Sequence, residues 1–252
     1  MRVLVVTAVA AEADSVTTGL TPHPDTPGPE PRTLLTGSSR TESGSGYRVV
    51  RRDLPGIAFD VLAGGVGPAA AAAATATALT LADYGLVVSA GIGGGFAPAA
   101  PPGSLVVADA IVAADLGAET PDGFVDVRAL GFGHSVHLPP AELAARAAEA
   151  TGALLAPVLT VSTVTGTAAR AAELTARHPL AGAEAMEGFG VAEAAAAHGL
   201  PVLEIRAVSN AVGPRDRDAW RIGEALAALT EGFRALGPVL ALAQQGDPHE
   251  HR

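Results

Sequence analysis

The amino-acid sequence predicts a single three-layer α/β domain with a mixed, mainly parallel central sheet flanked by helices. Short runs rich in Val, Ile and Leu recur along the 252 residues without alternating polar residues, which is typical of strands buried on both faces. Ala-rich segments long enough for helices separate these runs. Such a β–α–β order favours right-handed crossovers and places ligands at the carboxyl ends of the strands. We expect one domain of this kind over residues 1–243.

The elements are predicted in the following order along the chain. The strands are RVLVV, FDVLAGG, YGLVVSAG, GSLVVADAIVA, APVLTVSTV and PVLEIRAVSN. The helices are Ala69–Ala82, Ala141–Thr151, Thr167–Arg177, Val191–His198 and Asp218–Ala243. Residues 21–46 contain five prolines in their first half and are rich in Gly and Ser in their second half. This composition predicts a surface loop insertion. Residues 244–252 predict a flexible tail.

The composition excludes several classes of function. With 16 basic and 26 acidic residues the formal net charge is −10, so we expect neither a nucleic acid nor an anionic membrane as a partner. The absence of cysteine excludes disulfides and thiolate nucleophiles and fits a cytoplasmic protein. No apolar stretch of about 20 residues, the length of a membrane span, is evident. The histidines are scattered outside known metalloenzyme motifs, so no metal or other cofactor is expected.

Two glutamates are candidates for catalysis or binding. Glu12 follows the first predicted strand in TAVAAEAD, and Glu187 lies at the head of an Ala-rich helix in AEAMEGFG. A carboxylate at the end of a strand is placed to act as a general base toward water. An acidic residue in a first helical turn is also stabilised by the helix dipole alone. The residues themselves leave both interpretations open.

Two glycine-rich stretches also follow predicted strands, AGGVGPAAAA at Ala63–Ala72 and SAGIGGGFAP at Ser89–Pro98. Neither forms a G-x-G-x-x-G or P-loop motif, so dinucleotide and nucleotide-triphosphate binding are disfavoured. Glycine allows a backbone to approach a ligand closely. We expect the second stretch, with Gly91, Gly93 and Gly94, to have a functional role, whereas tight turns account for some of the other glycines.

A third candidate region, EIRAVSNAVGPRDRDAW, ends a predicted strand at Asn210 and enters a loop dense in Arg and Asp. Asn at such a position often caps the following turn. Arg215 and Arg217, on either side of Asp216, are equally typical of a solvated surface network. Trp220 is expected in the core.

These stretches in this order resemble the 5′-methylthioadenosine/S-adenosylhomocysteine nucleosidase branch of the nucleoside phosphorylase superfamily. The resemblance rests on TAVAAEAD, GGVGPAAAA, SAGIGGGFAP with PGSLVVADAIVAADLGAE, and AEAMEGFGVAEAAAAHGLPVLEIRAVSN. It implies that Glu12 activates the attacking water and that Met186 and Glu187 contact the ribose. It also implies that Gly166 and Thr167 face the purine and that Gly91, Gly93 and Gly94 line a pocket for water or an anion. The resemblance implies a purine nucleoside as the ligand and a homo-oligomer, a dimer or larger.

One departure from the nucleosidase pattern concerns the purine. Nucleosidases place an Asp after the strand-end serine, where this chain has Asn210. Because the carboxamide NH₂ carries two donors, it suits N7 together with a 6-oxo group. Hypoxanthine is therefore favoured over adenine, and Asn210 is expected to assist departure of the base.

The stretch SNAVGPRDRDAW further resembles the futalosine hydrolase branch, which releases hypoxanthine from futalosine in a menaquinone pathway and leaves dehypoxanthine futalosine. Futalosine carries a benzoate on its 5′ side. Arg215 and Arg217 are candidates to pair with this carboxylate, and Phe132 is a candidate to stack on its ring. A 6-aminopurine nucleosidase, a phosphorylase and a non-catalytic nucleoside-binding protein remain alternatives, although TAVAAEAD lacks the arginine that phosphorylases carry after their first strand.

Overall fold

A computed structural model describes residues 1–21 and 47–243 of the chain. The predicted insertion, apart from Thr21, and the predicted tail at 244–252 lie outside the described residues. The described strands are β1 Arg2–Thr7, β2 Val49–Leu54, β3 Ile57–Ala63, β4 Leu86–Gly95, β5 Leu105–Val107, β6 Ile111–Ala113, β7 Gly117–Thr120, β8 Gly123–Asp126, β9 Val136–His137, β10 Leu154–Leu155, β11 Val158–Thr160, β12 Ala183–Ala185 and β13 Val202–Ala211. The described helices are α1 Ala10–Gly19, α2 Pro68–Leu79, α3 Ala141–Thr151, α4 Ala168–Arg177, α5 Gly188–Ala197 and α6 Ile222–Ala243.

Strand β4 is the centre of the main sheet, which contains eleven of the described strands. It pairs in parallel with β1 on one edge and with β13 on the other. Near its carboxyl end it also pairs with β12 in the antiparallel direction, which starts a second branch through β11, β6 and β9. Six of the ten pairings in this sheet are parallel, so the predicted mixed, mainly parallel sheet is confirmed.

The hydrophobic core has one large cluster on each face of the sheet. Along β1, Leu4 and Val6 face one cluster, and Val3 and Val5 face the other, because successive side chains of a strand point to opposite faces. The first cluster contains residues of α2 and α5, and the second contains residues of α1, α3 and α6. Helices therefore cover both faces, and the predicted three-layer architecture is confirmed.

The predicted helices agree with the structure to within a few residues, but two predicted strands differ from it. GSLVVADAIVA was expected as one strand and instead forms β5 and β6, which lie in different parts of the sheet. The glycines of SAGIGGG were expected to follow a strand, and they lie within β4, which extends to Gly95. Strand β13 pairs with β4 along this whole glycine-rich segment, and this pairing keeps it extended.

Helix α6 corrects the expectation that no apolar stretch is long enough for a membrane span. Its 21-residue segment Ile222–Leu242 contains an 18-residue window with a mean hydropathy of 1.3. The structure supplies another reason for this apolar character, because one face of the helix is fully buried in the core. The buried residues on this face are Ala225, Leu229, Phe233, Leu236 and Leu240.

Candidate active site

Glu12 lies in the first turn of α1, just after β1, and is only 4% exposed. Its Oε2 accepts hydrogen bonds from the backbone N–H groups of Ala8 and Val9, at 2.9 and 3.1 Å. Its Oε1 accepts one from Ile92 in β4, at 2.8 Å. A carboxylate has roughly four acceptor positions, so one position on Oε1 is left for the proton of a water. Glu12 therefore orders the start of α1 and also contacts β4.

Arg206 in β13 is fully buried and connects the candidate carboxylates. Its Nε donates to Glu204 Oε1 at 2.9 Å, and its Nη1 pairs with Glu187 Oε2 at 3.1 Å. Its Nη2 donates to the hydroxyl of Ser89 in β4 at 2.9 Å. The charge of Glu12 also acts on this guanidinium. Three carboxyl groups thus share one cation, and a surplus of negative charge favours a second positive charge nearby.

Glu187 occupies the N-cap position of α5, but its side chain does not cap that helix. Instead Oε1 accepts a hydrogen bond from the backbone N–H of Gly67 at the start of α2, at 3.2 Å. Its Oε2 faces Arg206 and also accepts from the N–H of Met186 at 3.3 Å. The side chain of Glu187 is therefore directed into the cluster around Arg206, although the residue stands at the start of α5.

The glycines of β4 allow other groups to approach this strand. A Cβ on Gly91 would lie 2.6 Å from Glu12 Oε1 and 2.8 Å from Arg206 Nη1. A Cβ on Gly93 would lie 2.7 Å from the carbonyl oxygen of Glu184. Any larger residue would displace these groups. Because Gly91 has no side chain, Glu12 and Arg206 can approach the same point on β4.

Asn210 lies beside Gly94 at a β-bulge between β4 and β13. Val208 pairs with Gly93 and Asn210 with Gly94, so Ser209 is the extra residue, and bulges of this kind redirect neighbouring side chains. The hydroxyl of Ser209 lies 2.8 Å from Asn210 Oδ1, to which it donates. Asn210 Nδ2 donates to the carbonyl of Ala211 at 3.0 Å. One N–H of the amide is engaged, and within the described part of the chain the other has no hydrogen-bond partner.

The structure brings the predicted purine and 5′-side residues partly together. The backbone N–H of Arg215 donates to the carbonyl of Gly166 at 3.2 Å, so these two loops are adjacent. The side chain of Thr167 accepts from Arg170 and caps α4. Its backbone carbonyl accepts from the N–H of Ala171 at 3.1 Å, so the backbone N–H of Thr167 is left for the predicted contact. The guanidinium of Arg215 lies 5.2 Å from the ring centre of Trp220.

The remaining 5′-side candidates lie at the surface. Arg217 is exposed in a 3₁₀ turn whose N-cap is Asp216, and Phe132 is 79% exposed in the turn between β8 and β9. Trp220 is half-buried and does not belong to the core clusters of the described residues. The expectation of a core position for Trp220 was therefore wrong, because Trp220 packs against Arg215 on a loop that leaves the sheet.

Sequence reasoning missed Arg206 and Glu204, which complete the cluster. A signal was present, because EIRAVS places two opposite charges at positions i and i+2 of an otherwise apolar strand, and such positions share one face. Charged residues in a strand buried on both faces are rarely tolerated without partners. What the sequence lacks is any sign of which distant carboxylates pair with Arg206.

Burial governs the proton affinities of this cluster. It raises the pKa of Glu12 above the value of 4.5 that is ordinary for glutamate, although the N–H of Ile92 and the charge of Arg206 act in the opposite direction. It also raises the pKa of Glu204. Burial by itself lowers the pKa of Arg206, but the neighbouring carboxylates outweigh it and raise that pKa. Arg206 is thus a permanent cation, and Glu12 is a base strengthened by burial.

Comparison with known families agrees with this geometry. The family described as "Phosphorylase superfamily" matches residues 3–237. A structure of a 5′-methylthioadenosine/S-adenosylhomocysteine nucleosidase from Colwellia psychrerythraea is similar with a TM-score of 0.74 and 22% identity, covering 97% of this chain and 95% of that one. At this identity the similarity establishes the fold.

Two relatives are closer in sequence. A futalosine hydrolase from Streptomyces coelicolor is 62% identical over 255 residues, covering 99% of this chain and 100% of the relative. A futalosine hydrolase from Acidothermus cellulolyticus is 46% identical over 247 residues, covering 93% of this chain and 89% of the relative. The chain belongs to the phosphorylase superfamily and, within it, to the family of the futalosine hydrolases.

Proposed function

We propose that this chain hydrolyses the N-glycosidic bond of futalosine in menaquinone biosynthesis, releasing hypoxanthine and leaving dehypoxanthine futalosine. The observation that carries the proposal is the approach of Glu12 and Arg206 to Gly91, with Glu187 paired to the same Nη1 of Arg206. This arrangement offers a base for water and excess negative charge for a cationic transition state. The 62% identity to a futalosine hydrolase over nearly the whole chain supports the choice of substrate.

In the proposed reaction a water bound between Glu12 and Arg206 attacks C1′ of the ribose as the bond to the purine breaks. Glu12 Oε1 takes the proton of that water, a contribution that is typically worth about 10²–10⁴-fold in rate. Positive charge builds on the sugar during departure of the base, as in glycoside hydrolysis. The neighbouring carboxylates stabilise this charge because they are fixed before the reaction begins.

Glu187 positions the ribose in this proposal. Three of its roughly four acceptor positions are engaged by Gly67, Met186 and Arg206. One hydroxyl of the sugar therefore binds the remaining position on Oε1. The second hydroxyl replaces the N–H of Met186, whose hydrogen bond of 3.3 Å is the longest of the three. The Met186 side chain, which is half-buried next to Glu187, packs against the ribose.

Asn210 assists departure of the base by donating to the purine, with Gly166 and Thr167 on the other side of the ring. The unpaired N–H of Asn210 donates to N7. The N–H that now donates to Ala211 is released and donates to a 6-oxo group. A carboxamide has no proton to transfer, so the departing hypoxanthine takes its proton from water. Asp216, the acid nearest in sequence, is exposed and caps a 3₁₀ turn.

The 5′ side is assigned to Arg215, Arg217 and Phe132, of which Arg215 lies next to Gly166. We further propose that Gly93 and Gly94 shape the water pocket together with Gly91. No cofactor or metal takes part in the proposed reaction. The protein is proposed to act as a soluble cytoplasmic homo-oligomer.

Incubation with futalosine and with inosine, each with and without phosphate, tests this function. We expect free hypoxanthine from futalosine at the same rate in both buffers, because water is the nucleophile. A requirement for phosphate would identify a phosphorylase instead. Binding of futalosine without release of any base would contradict catalysis altogether.

Substitution Asn210→Asp is expected to shift the preference of the enzyme toward 6-aminopurines. A carboxylate cannot donate to a 6-oxo group, and buried mismatched polar groups are strongly disfavoured, by up to about 10⁴-fold in sites of this kind. The measurement is the ratio of kcat/KM for inosine to that for adenosine, compared with wild type. A matched control is Asn210→Gln, which retains the amide. An unchanged ratio in Asn210→Asp would refute the assigned purine contact.

The pH dependence of kcat/KM is expected to show an acidic limb whose midpoint lies above 4.5. Burial raises the pKa of Glu12, and only the ionised carboxylate accepts a proton from water. The same shift affects stability in the opposite direction. Because the pKa of Glu12 is higher in the folded than in the unfolded protein, its stabilising contribution is fully present below the unfolded pKa. This contribution is lost as the pH rises through the folded pKa. Circular dichroism at each pH separates the two effects. A midpoint at or below pH 4.5 would contradict the assignment of Glu12 as the base.

A further inference from the structure

A second cluster of polar side chains lies outside the proposed catalytic residues. His134 and His137, from the turn before β9 and from β9 itself, meet Glu193 of α5. The sequence interpretation of scattered histidines was wrong for this pair, because antiparallel pairing of His137 with Ile111 brings β9 alongside the sheet next to α5. His137 and Glu193 are half-buried and His134 is exposed.

Three ligand atoms of this cluster converge on one point. The distance between the two Nε2 atoms of His134 and His137 is 3.2 Å. Glu193 Oε1 lies 2.9 Å from His134 Nε2 and 3.1 Å from His137 Nε2. In a tetrahedral zinc site with bonds of about 2.0–2.1 Å, neighbouring ligand atoms are about 3.3 Å apart. The three edges of the observed triangle are therefore close to those of one face of such a tetrahedron.

Hydrogen bonding cannot satisfy this triangle by itself. If both imidazoles donate from Nε2 to Glu193, their two N–H groups face each other across 3.2 Å. If one imidazole instead carries its proton on Nδ1, its Nε2 can accept from the other imidazole, but its lone pair then also faces the ionised carboxylate oxygen of Glu193. With an ionised carboxylate, every distribution of protons on neutral imidazoles leaves at least one edge repulsive. A cation bound to all three atoms offsets this repulsion.

We propose that His134, His137 and Glu193 bind one divalent transition-metal ion of the zinc class, with water in the fourth position. Two imidazoles and one carboxylate are ligands typical of zinc and its neighbours, whereas Mg²⁺ prefers oxygen ligands. The carboxylate offsets one of the two charges of the ion.

The site is separate from the proposed catalytic cluster. Glu193 follows Glu187 by six positions, which corresponds to about 9 Å along a helix axis. The ring of Phe189 packs against both histidines, with centroid distances of 6.1 Å to His134 and 5.1 Å to His137. We therefore assign the ion a structural role, in which it links β9 and the preceding turn to α5.

The site is tested by isothermal titration calorimetry. Zinc is titrated into the 252-residue chain after bound metal has been removed with a chelator. We expect one Zn²⁺ per chain, no binding of Mg²⁺ and a rise in Tm with zinc, since a ligand that binds the folded state stabilises it. Cobalt at the same site is expected to give the intense visible absorption of tetrahedral Co²⁺. Changes to outer-shell partners of metal ligands already cost about 10–100-fold in affinity, so loss of a ligand is expected to cost more than about 100-fold.

Four variants make the test specific. His134→Ala and Glu193→Gln each remove one ligand, and because both residues are partly solvent-accessible, folding is expected to survive. His198→Ala is the matched control, since His198 is an exposed histidine at the end of the same helix. A variant lacking His249 and His251 excludes binding by the tail. Zinc binding that persists in His134→Ala, or that disappears with the tail histidines, would overturn the proposal.

Discussion

Glu12→Gln is expected to lower kcat for futalosine hydrolysis by about 10²–10⁴-fold, the usual contribution of a general base. The glutamine oxygen is far less basic than a carboxylate and takes no proton from water. Binding is expected to persist, because the proposed ribose and purine contacts come from Glu187 and Asn210. The measurement is kcat, together with the Kd of futalosine for the inactive variant by calorimetry.

The structure indicates that this substitution also lowers the stability of the fold, which the sequence did not reveal. Both oxygens of Glu12 accept backbone N–H groups, so the NH₂ of a glutamine must face either Ile92 or the pair Ala8 and Val9. A buried donor left without an acceptor costs about 1–3 kcal/mol. Urea unfolding therefore accompanies the kinetics, with Asp14→Asn, an exposed change on the same helix, as the matched control. An unchanged kcat would remove Glu12 from the mechanism.

Arg206→Met is expected to lower the free energy of unfolding by about 3–5 kcal/mol at neutral pH, the usual cost of breaking a buried ion pair. Methionine preserves part of the aliphatic volume but leaves the buried carboxyl groups of Glu187 and Glu204 without their cation. The measurement is urea unfolding followed by circular dichroism. Arg234→Met is the control, because this exposed arginine of α6 pairs with Glu231 at the surface, and such pairs contribute at most about 1 kcal/mol.

A rescue experiment distinguishes charge from packing in this variant. Adding Glu204→Gln to Arg206→Met removes one of the buried charges and is expected to recover part of the lost stability. The deficit of Arg206→Met is also expected to shrink as the pH falls and the carboxyl groups are protonated. A deficit that is independent of pH and unaffected by Glu204→Gln would indicate that Arg206 acts through its volume alone.

Local patterns were sufficient to predict most of the architecture. Apolar runs without alternation and Ala-rich segments located the main strands and helices, because burial on both faces leaves that signature in the residues themselves. Strand β2 and the short strands β7 to β10 and β12 were not predicted. The short strands have two to four residues, which carry too little pattern. The extension of β4 through its glycines was also missed, because pairing with β13 and not local propensity keeps that segment extended.

The sequence identified candidate site residues where a polar side chain stands at the end of a strand or the start of a helix. Glu12 after a strand, Glu187 at a helix start and Asn210 at a strand end each carry a polar group where an α/β sheet binds ligands. Their partners were not predictable in this way. Gly67 donates to Glu187 across 120 residues, and Ile92 donates to Glu12 across 80.

The sequence by itself determined the class of fold, the identity of the two candidate glutamates and the amide at position 210, because each depends on residue type and local order. The tertiary structure alone decided that Arg206 is the cation shared by the carboxylates. It also decided that Gly91 allows Glu12 and Arg206 to meet and that His134, His137 and Glu193 converge. The physical reason is that these groups interact through space across β4, β13 and α5, and electrostatic and steric contacts between distant segments leave no periodic signal in the chain.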